Sequence, residues 1–346
     1  SSRHILKEPC CSPLAMIDES SECAASEVAL AGLAAVVNDG SLFIIGGHNG
    51  CGPTKSLWRF QPDTDCPERG DWTQLSDMLS RRAYLASVVF NGRLLAIGGG
   101  ADGRVLNTVE QFDFTRGAWE PWFKSPPMQT KRLLHGACVA DGKIFVCGGF
   151  DGTRDLSSVE CFCPRRQCWY SVERMAEGRN SLAVTSSMTH IYAIGGQNRL
   201  KHEGHTHASV EAFDLYSERW NPVAPMSESR VGPAAAVLCN SDGIEEIYVC
   251  GGSNGKDVVA TAECFNEQEG EWRILPAMST PRLNHAVAVL NNRLYAVGGS
   301  NRLGACGTFE CFDPVSRCWS SPLPIGALPP EVKLDMPSSS TAHGGG

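Results

Sequence analysis

Lys143-Ile144-Phe145-Val146-Cys147-Gly148-Gly149 is an apolar run closed by two glycines, followed by Glu160-Cys161-Phe162 and then Trp169. The cassette recurs. Paired glycines stand at 46/47, 98/99, 148/149, 195/196, 251/252 and 298/299, at steps of 52, 50, 47, 56 and 47 residues. A period near 50 residues marks a radial or stacked repeat. It outranks the prior from length, which would divide 346 residues into two or three domains.

The second copy shows the unit. Ala83 to Phe90 is apolar and rich in small residues, a first strand. Asn91-Gly92 is a type I′ hairpin signal. Arg93 to Ile97 is a second strand ending at Gly98-Gly99, and Ala101-Asp102-Gly103-Arg104 reads as a polar loop. Thr108 to Phe112 alternates as a third strand, Thr115-Arg116-Gly117 turns the chain, and Trp119 starts a fourth. Asn38-Asp39-Gly40 and Asp141-Gly142 mark the same hairpin in the first and third copies.

Spacing within the unit is tighter than the period. Trp119, Trp169, Trp272 and Trp319 each lie 21 residues after the first glycine, whereas Trp72 and Trp220 lie 26 and 25 after it. Glu110, Glu160, Glu211, Glu263 and Glu310 each stand nine residues before Trp, and the first copy has Trp58 instead. Five Met residues are each followed four positions on by Arg: Met78/Arg82, Met128/Arg132, Met175/Arg179, Met226/Arg230 and Met278/Arg282. Four antiparallel strands make a small twisted sheet that cannot bury both faces alone, so the copies stack around an axis. Trp and Phe then fill the layers between sheets. A charge that recurs in nearly every copy reads as a paired structural group, because a buried charge is tolerated only when paired.

The double glycine, the Glu-x-Phe strand, the Trp and the Met-Arg spacing together resemble the kelch repeat family over about residues 28 to 325. The resemblance implies an all-β, six-bladed propeller with four antiparallel strands per blade. Its nearest branch, the kelch-like proteins, implies a substrate-binding end of a cullin-RING ubiquitin ligase adaptor, with BTB and BACK domains upstream and a cullin as partner. Residues 1–27 are expected to be a linker and 327–346 a tail. The blades are expected at about 28–78, 79–128, 129–175, 176–226, 227–278 and 279–326. Many propellers of this family close with a C-terminal strand. Here Ala29 to Val37 already resembles the first blade's own inner strand, with Leu30 where the other blades have Arg. No Met-Arg spacing follows Trp319. The expectation is six blades of consecutive residues, the alternative being a closing strand from Val332 to Met336.

By the same resemblance, one face carries the loops between second and third strands, the residue after each double glycine and the first-strand starts. The peptide-binding candidates are His48, Tyr84, Arg104, Phe150, Arg154, Asn180, Gln197, Arg199, Ser253, Ser300 and Arg302. Positions that vary while the scaffold repeats are free to encode a partner. Arg104, Arg154, Arg199 and Arg302 suit bidentate recognition of carboxylate or phosphate, so an acidic or phosphorylated peptide is expected unless Asp102, Asp151, Asp155 and Asp257 cancel them. The family's acidic-degron receptor places serines where this chain has Ala83, Leu133, Val231 and Leu283, which implies a more apolar floor and a different ligand.

Other chemistry is thin. Lys201 to His207 holds three His and a Glu, ligand types for zinc or copper, in a loop without preformed geometry. Cys51 in Gly50-Cys51-Gly52 is a candidate reactive thiol. Gly251 to Lys256 lacks the spacing and the Ser/Thr of a phosphate loop. No nucleophile–base pair stands out, so the reading is a binding domain, not an enzyme, with no cofactor. An enzymatic or metal-binding propeller and an actin-binding cytoskeletal protein are the alternatives. The net charge of −8, with no long basic run, argues against nucleic acid and anionic membranes as partners. The longest apolar stretch, Ala29 to Val37, is too short to span a bilayer. Ser1-Ser2-Arg3-His4 does not read as a signal peptide. Sixteen cysteines, several locked to repeat positions, read as small packing residues in a reducing cytoplasm.

Overall fold

The computed structural model describes residues 28–122, 126–199, 205–240 and 243–326. Six antiparallel sheets follow one another along the chain, each built from consecutive strands. The third is representative: Gly136–Ala140, Lys143–Cys147, Val159–Cys163 and Cys168–Val172, paired in that order. The first begins with Ala34–Asn38 and ends with Gly70–Gln74. In the sixth, Thr308–Asp313 pairs with two short pieces, Cys318–Trp319 and Leu323–Pro324, because Pro322 between them removes a ladder donor. The inner strands of neighbouring sheets pack side by side, and Ala34–Asn38 meets Ala286–Leu290 of the sixth sheet. The ring is therefore closed, and the fold is a six-bladed β-propeller. The tail alternative, Val332 to Met336, and the 1–27 linker lie outside the described residues.

The repeated residues are the joints. Gly149 donates its N–H to the carbonyl of Arg179, the first residues of the next blade, at 2.8 Å. At Gly148 (φ +64°) a Cβ would lie 2.6 Å from that same carbonyl, so only glycine permits the approach. The Arg132 guanidinium donates to the carbonyls of Gly148 and Ser158 at 2.8 and 2.9 Å and to the Glu160 carboxylate at 3.0 Å. Glu160 also accepts the N–H groups of Gln129 and Thr130. Arg82–Glu110, Arg179–Glu211, Arg230–Glu263 and Arg282–Glu310 repeat the pair at 2.8 to 3.0 Å. All ten groups are buried and ion-paired, as the repeated charges predict, although Arg132 Nε itself makes no hydrogen bond. The tryptophans lock adjacent blades: Nε1 of Trp119, Trp220, Trp272 and Trp319 donates to the carbonyls of Ser76, Glu173, Ala224 and Pro276.

One joint differs. Leu30 and Trp58 replace Arg and Glu in the first blade, and its clamp is an apolar cluster with Leu33, Phe60, Tyr295, Phe309 and Ile325. Ile325 donates its N–H to Gly307 at 2.8 Å, the bond that Met278 makes to Ala260 at 2.9 Å one blade earlier. Ile325 is thus the sixth blade's counterpart of the repeated Met.

The polar loop expected at 101–104 is a two-stranded ribbon instead, Gly100–Ala101 with Arg104–Val105. Its tip residues Asp102 and Gly103 take positive φ (46° and 71°), which lets the chain reverse in two residues.

Candidate functional site

The residue after each double glycine pairs with a first-strand start in the same blade: His48 with Ala31, Gly100 with Ala83, Phe150 with Leu133, Gln197 with Asn180, Ser253 with Val231 and Ser300 with Leu283. The next residues form a closed cycle of backbone hydrogen bonds. Tyr84 donates to Gly32, Leu134 to Tyr84, Ser181 to Leu134, Gly232 to Ser181, Asn284 to Gly232 and Gly32 to Asn284, all at 2.7 to 2.9 Å. Every member has φ between 51° and 61°. For Tyr84, Leu134, Ser181 and Asn284 that is a strained conformation, held because six bonds over-determine it. The cycle joins all six blades around the axis and frames a small cavity of about 90 Å³ behind it, walled by Leu33, Leu85, His135, Leu182, Pro233 and His285.

The expected contact residues, of which Tyr84 belongs to the cycle itself, divide into three groups by exposure. Tyr84, His48, Phe150 and Asn180 are buried. Burial raises the Tyr84 phenol to about 12 and lowers the His48 imidazole. The Asn180 amide is consumed internally: it donates to Asp155 at 2.6 Å and accepts from Ser181 and Gln197 at 2.9 and 3.2 Å. Gln197, Ser253, Ser300 and Arg199 are half-buried, and Arg104, Arg154 and Arg302 are exposed.

The arginines have different neighbours. Arg302 is ion-paired with Asp257, and Arg154 lies 3.4 Å from Asp151. The guanidinium of Arg199 stands 5.3 Å over the Phe150 ring, and the Arg199 backbone N–H donates to the buried Asp155 carboxylate at 2.6 Å. Arg104 has no carboxylate partner among the described residues. A further cation joins this side. At Gly152 a Cβ would lie 3.5 Å from Val105 and 3.7 Å from the Lys131 Nζ, so the second blade's ribbon, Lys131 and the third blade's loop converge. Sequence reading passed over Lys131, yet it stands directly before a repeated Arg, as Arg81 does. Beneath these cations Ala83, Tyr84, Leu133 and Phe150 form an apolar cluster with Val105 and Leu134 at its edge.

The remaining candidates carry less. His202 and Glu203 lie outside the described residues, while His205–Thr206 forms a short strand with Gln197–Asn198. His207 is buried, its Nε2 3.7 Å from Glu177. Among the described residues no three His, Cys, Asp or Glu side chains converge on a metal-sized site. Cys51 is half-buried, and its N–H donates to the Asn49 side chain at 3.0 Å. Among the described residues no helix is long and apolar enough to cross a membrane.

Comparison with known proteins agrees with this architecture. Residues 22–149 match the family model described as the KLHDC2/KLHL20/DRC7 Kelch-repeats domain. Residues 131–176, 178–227, 245–279 and 281–322 match the Kelch motif. Beta-scruin of Limulus polyphemus is 27% identical over 72% of this chain and 28% of its own length. Kelch-like protein 26 of Danio rerio is 28% identical over 58% of this chain and 33% of its own length. The chain thus spans about a third of these relatives. The solved structure of YjhT has a TM-score of 0.69 at 18% identity, covering 85% of this chain and 97% of that one, and shows the same fold. With family models matching along most of its length and six blades in place, the chain belongs to the kelch repeat family.

Proposed function

We propose that this propeller is a protein-interaction module whose loop-bearing face binds an acidic or phosphorylated peptide segment. In the same reading it is the substrate-recognition end of a cytoplasmic cullin-RING ubiquitin ligase adaptor, with BTB and BACK domains and a cullin as its partners. Similarity to kelch-like proteins supports the adaptor role. The observation that carries the ligand class is the group Arg104, Lys131 and Arg154 beside the apolar cluster of Tyr84, Leu133 and Phe150. Guanidinium groups bind carboxylate or phosphate in a fork, and an apolar floor next to them suits a flanking hydrophobic side chain.

The test is an unbiased pull-down with the wild-type chain and with an Arg104→Glu/Arg154→Glu variant. A partner that is captured by the first and lost by the second is the expected result. A partner retained by both places binding elsewhere and overturns the reading. Co-purification of a cullin with the full-length protein tests the adaptor role, and actin co-sedimentation tests the cytoskeletal alternative.

A further inference from the structure

On the face opposite the proposed peptide site, the turn between third and fourth strands has a fixed chemistry. In the second blade Asp113 accepts the N–H groups of Thr115 and Arg116 at 2.8 and 3.2 Å. In the fourth, Asp214 accepts those of Tyr216 and Ser217, both at 2.8 Å. Asn266 does the same in the fifth blade, and Asp313 accepts from Val315 at 2.9 Å in the sixth. The turn is a small cradle for an anionic oxygen.

In the third blade this turn position is Cys163. The backbone N–H groups of Arg166 and Arg165 and the charges of Arg166 and Lys143, against a burial penalty, lower its thiol below the ordinary value. Directly across the hairpin, in register, stands Cys168. Antiparallel partners have Cα atoms about 4.5–5.5 Å apart, inside the range a disulfide spans. Both residues are half-exposed and both are free thiols. The corresponding pairs elsewhere are Asp113 with Ala118, Asp214 with Arg219, Asn266 with Glu271 and Asp313 with Cys318. Among the described residues, this turn position carries facing thiols only in the third blade.

We propose that Cys163 and Cys168 form a reversible redox site, Cys163 as the thiolate that reacts with a peroxide and Cys168 as the thiol that resolves it. The Cys163 sulfur attacks one peroxide oxygen, the O–O bond breaks, and the departing hydroxide takes a proton to become water. Cys168 then attacks the resulting sulfenic acid, its proton leaving with the displaced hydroxide as a second water. Two thiols and hydrogen peroxide give one disulfide and two waters, two electrons passing from sulfur to oxygen. A dithiol reductant reverses the step. Cys161, two residues earlier on the same strand, is fully buried and its thiol is raised to about 11 by that burial, so it does not compete as the nucleophile.

The sequence supplies its own assay. Arg165 and Arg166 lie between the two cysteines, so trypsin separates Asp155–Arg165 from Gln167–Arg174 unless a disulfide joins them. The intact chain is treated with hydrogen peroxide and digested without reductant. The linked peptide pair is expected, lost on dithiothreitol treatment. In Cys168→Ser, dimedone should label Cys163. In untreated wild-type protein, Cys163 should alkylate with iodoacetamide at least about threefold faster than Cys318, which faces an Asp. The proposal is overturned if Cys163 alkylates no faster than Cys318. It is equally overturned if peroxide oxidises Cys318 while Cys163 and Cys168 stay reduced, or if the bond forms between Cys163 and Cys161 within one peptide.

Discussion

Gly299 donates its N–H to the carbonyl of Leu30 at 2.8 Å, joining the last blade to the first without the Arg–Glu pair that braces every other joint. The ring is closed there by backbone geometry, apolar packing and a hydrogen bond from the Tyr295 hydroxyl to the Pro67 carbonyl at 2.6 Å, so this joint leans on its glycines. A Cβ on Gly298 (φ +65°) would lie 2.6 Å from the Leu30 carbonyl, whereas at Gly52 it would meet nothing within 4 Å. Gly298→Ala should cost about 2–4 kcal/mol in urea unfolding, and Gly52→Ala less than about 0.5 kcal/mol.

The braced joints make a different prediction. Arg132 and Glu160 are both buried, and removing one leaves the other charged without its partner. Arg132→Met or Glu160→Leu should each destabilise by about 3–5 kcal/mol. The double variant Arg132→Met/Glu160→Leu should cost clearly less than the sum, because neither charge is stranded. Urea midpoints for the four proteins close the cycle.

His135 and His285 occupy the slots that hold Leu33, Leu85 and Leu182 in other blades. Burial first, and then the charge of Arg132, drives His135 down to about 3, and burial and Arg282 do the same to His285. The sign follows. Between about pH 6.5 and 3 the unfolded chain binds protons that the folded chain refuses, so stability is full above that window and falls as the pH drops through it. From pH 7 to 5 each histidine should remove about 2 kcal/mol. His135→Leu should recover about half of the drop that the pair causes, read from urea midpoints at the two pH values.

The scaffold was legible in the sequence because it is written six times. Gly148-Gly149, Glu160, Trp169 and Arg132 each have counterparts whose spacing fixes their place. What escaped is what occurs once. Ile325 took the place of a repeated Met, and no spacing marks an apolar residue that substitutes for another. The hydrogen-bonded cycle was half visible: Gly32 and Gly232 carry the residue type that positive φ favours, but Tyr84 and Leu134 do not, and tertiary bonds hold them there. At the candidate site the repeat shows which positions share the loop-bearing face. It does not show that Asn180 spends its amide on Asp155 or that Arg302 pairs with Asp257, because those contacts join residues 25 and 45 positions apart in variable loops.

The proposed peptide site divides the arginines. Arg302, held by Asp257, should matter less than Arg104: Arg302→Ala should weaken an acidic peptide by less than about threefold, whereas Arg104→Ala should weaken it by about tenfold. Fluorescence anisotropy with one labelled peptide measures both.

The central claim is that the loop-bearing face reads an anionic segment. Its most direct measurement is selection from a random peptide library on the intact chain, with affinities of the enriched peptides then taken for wild type, Arg154→Ala and Arg116→Ala, the last lying in the turn of the opposite face. The account predicts peptides rich in Asp, Glu or phosphoserine, weakened about tenfold by Arg154→Ala and by raised salt, and unchanged by Arg116→Ala. Enrichment of neutral or basic peptides, or equal affinity for wild type and Arg154→Ala, would contradict it.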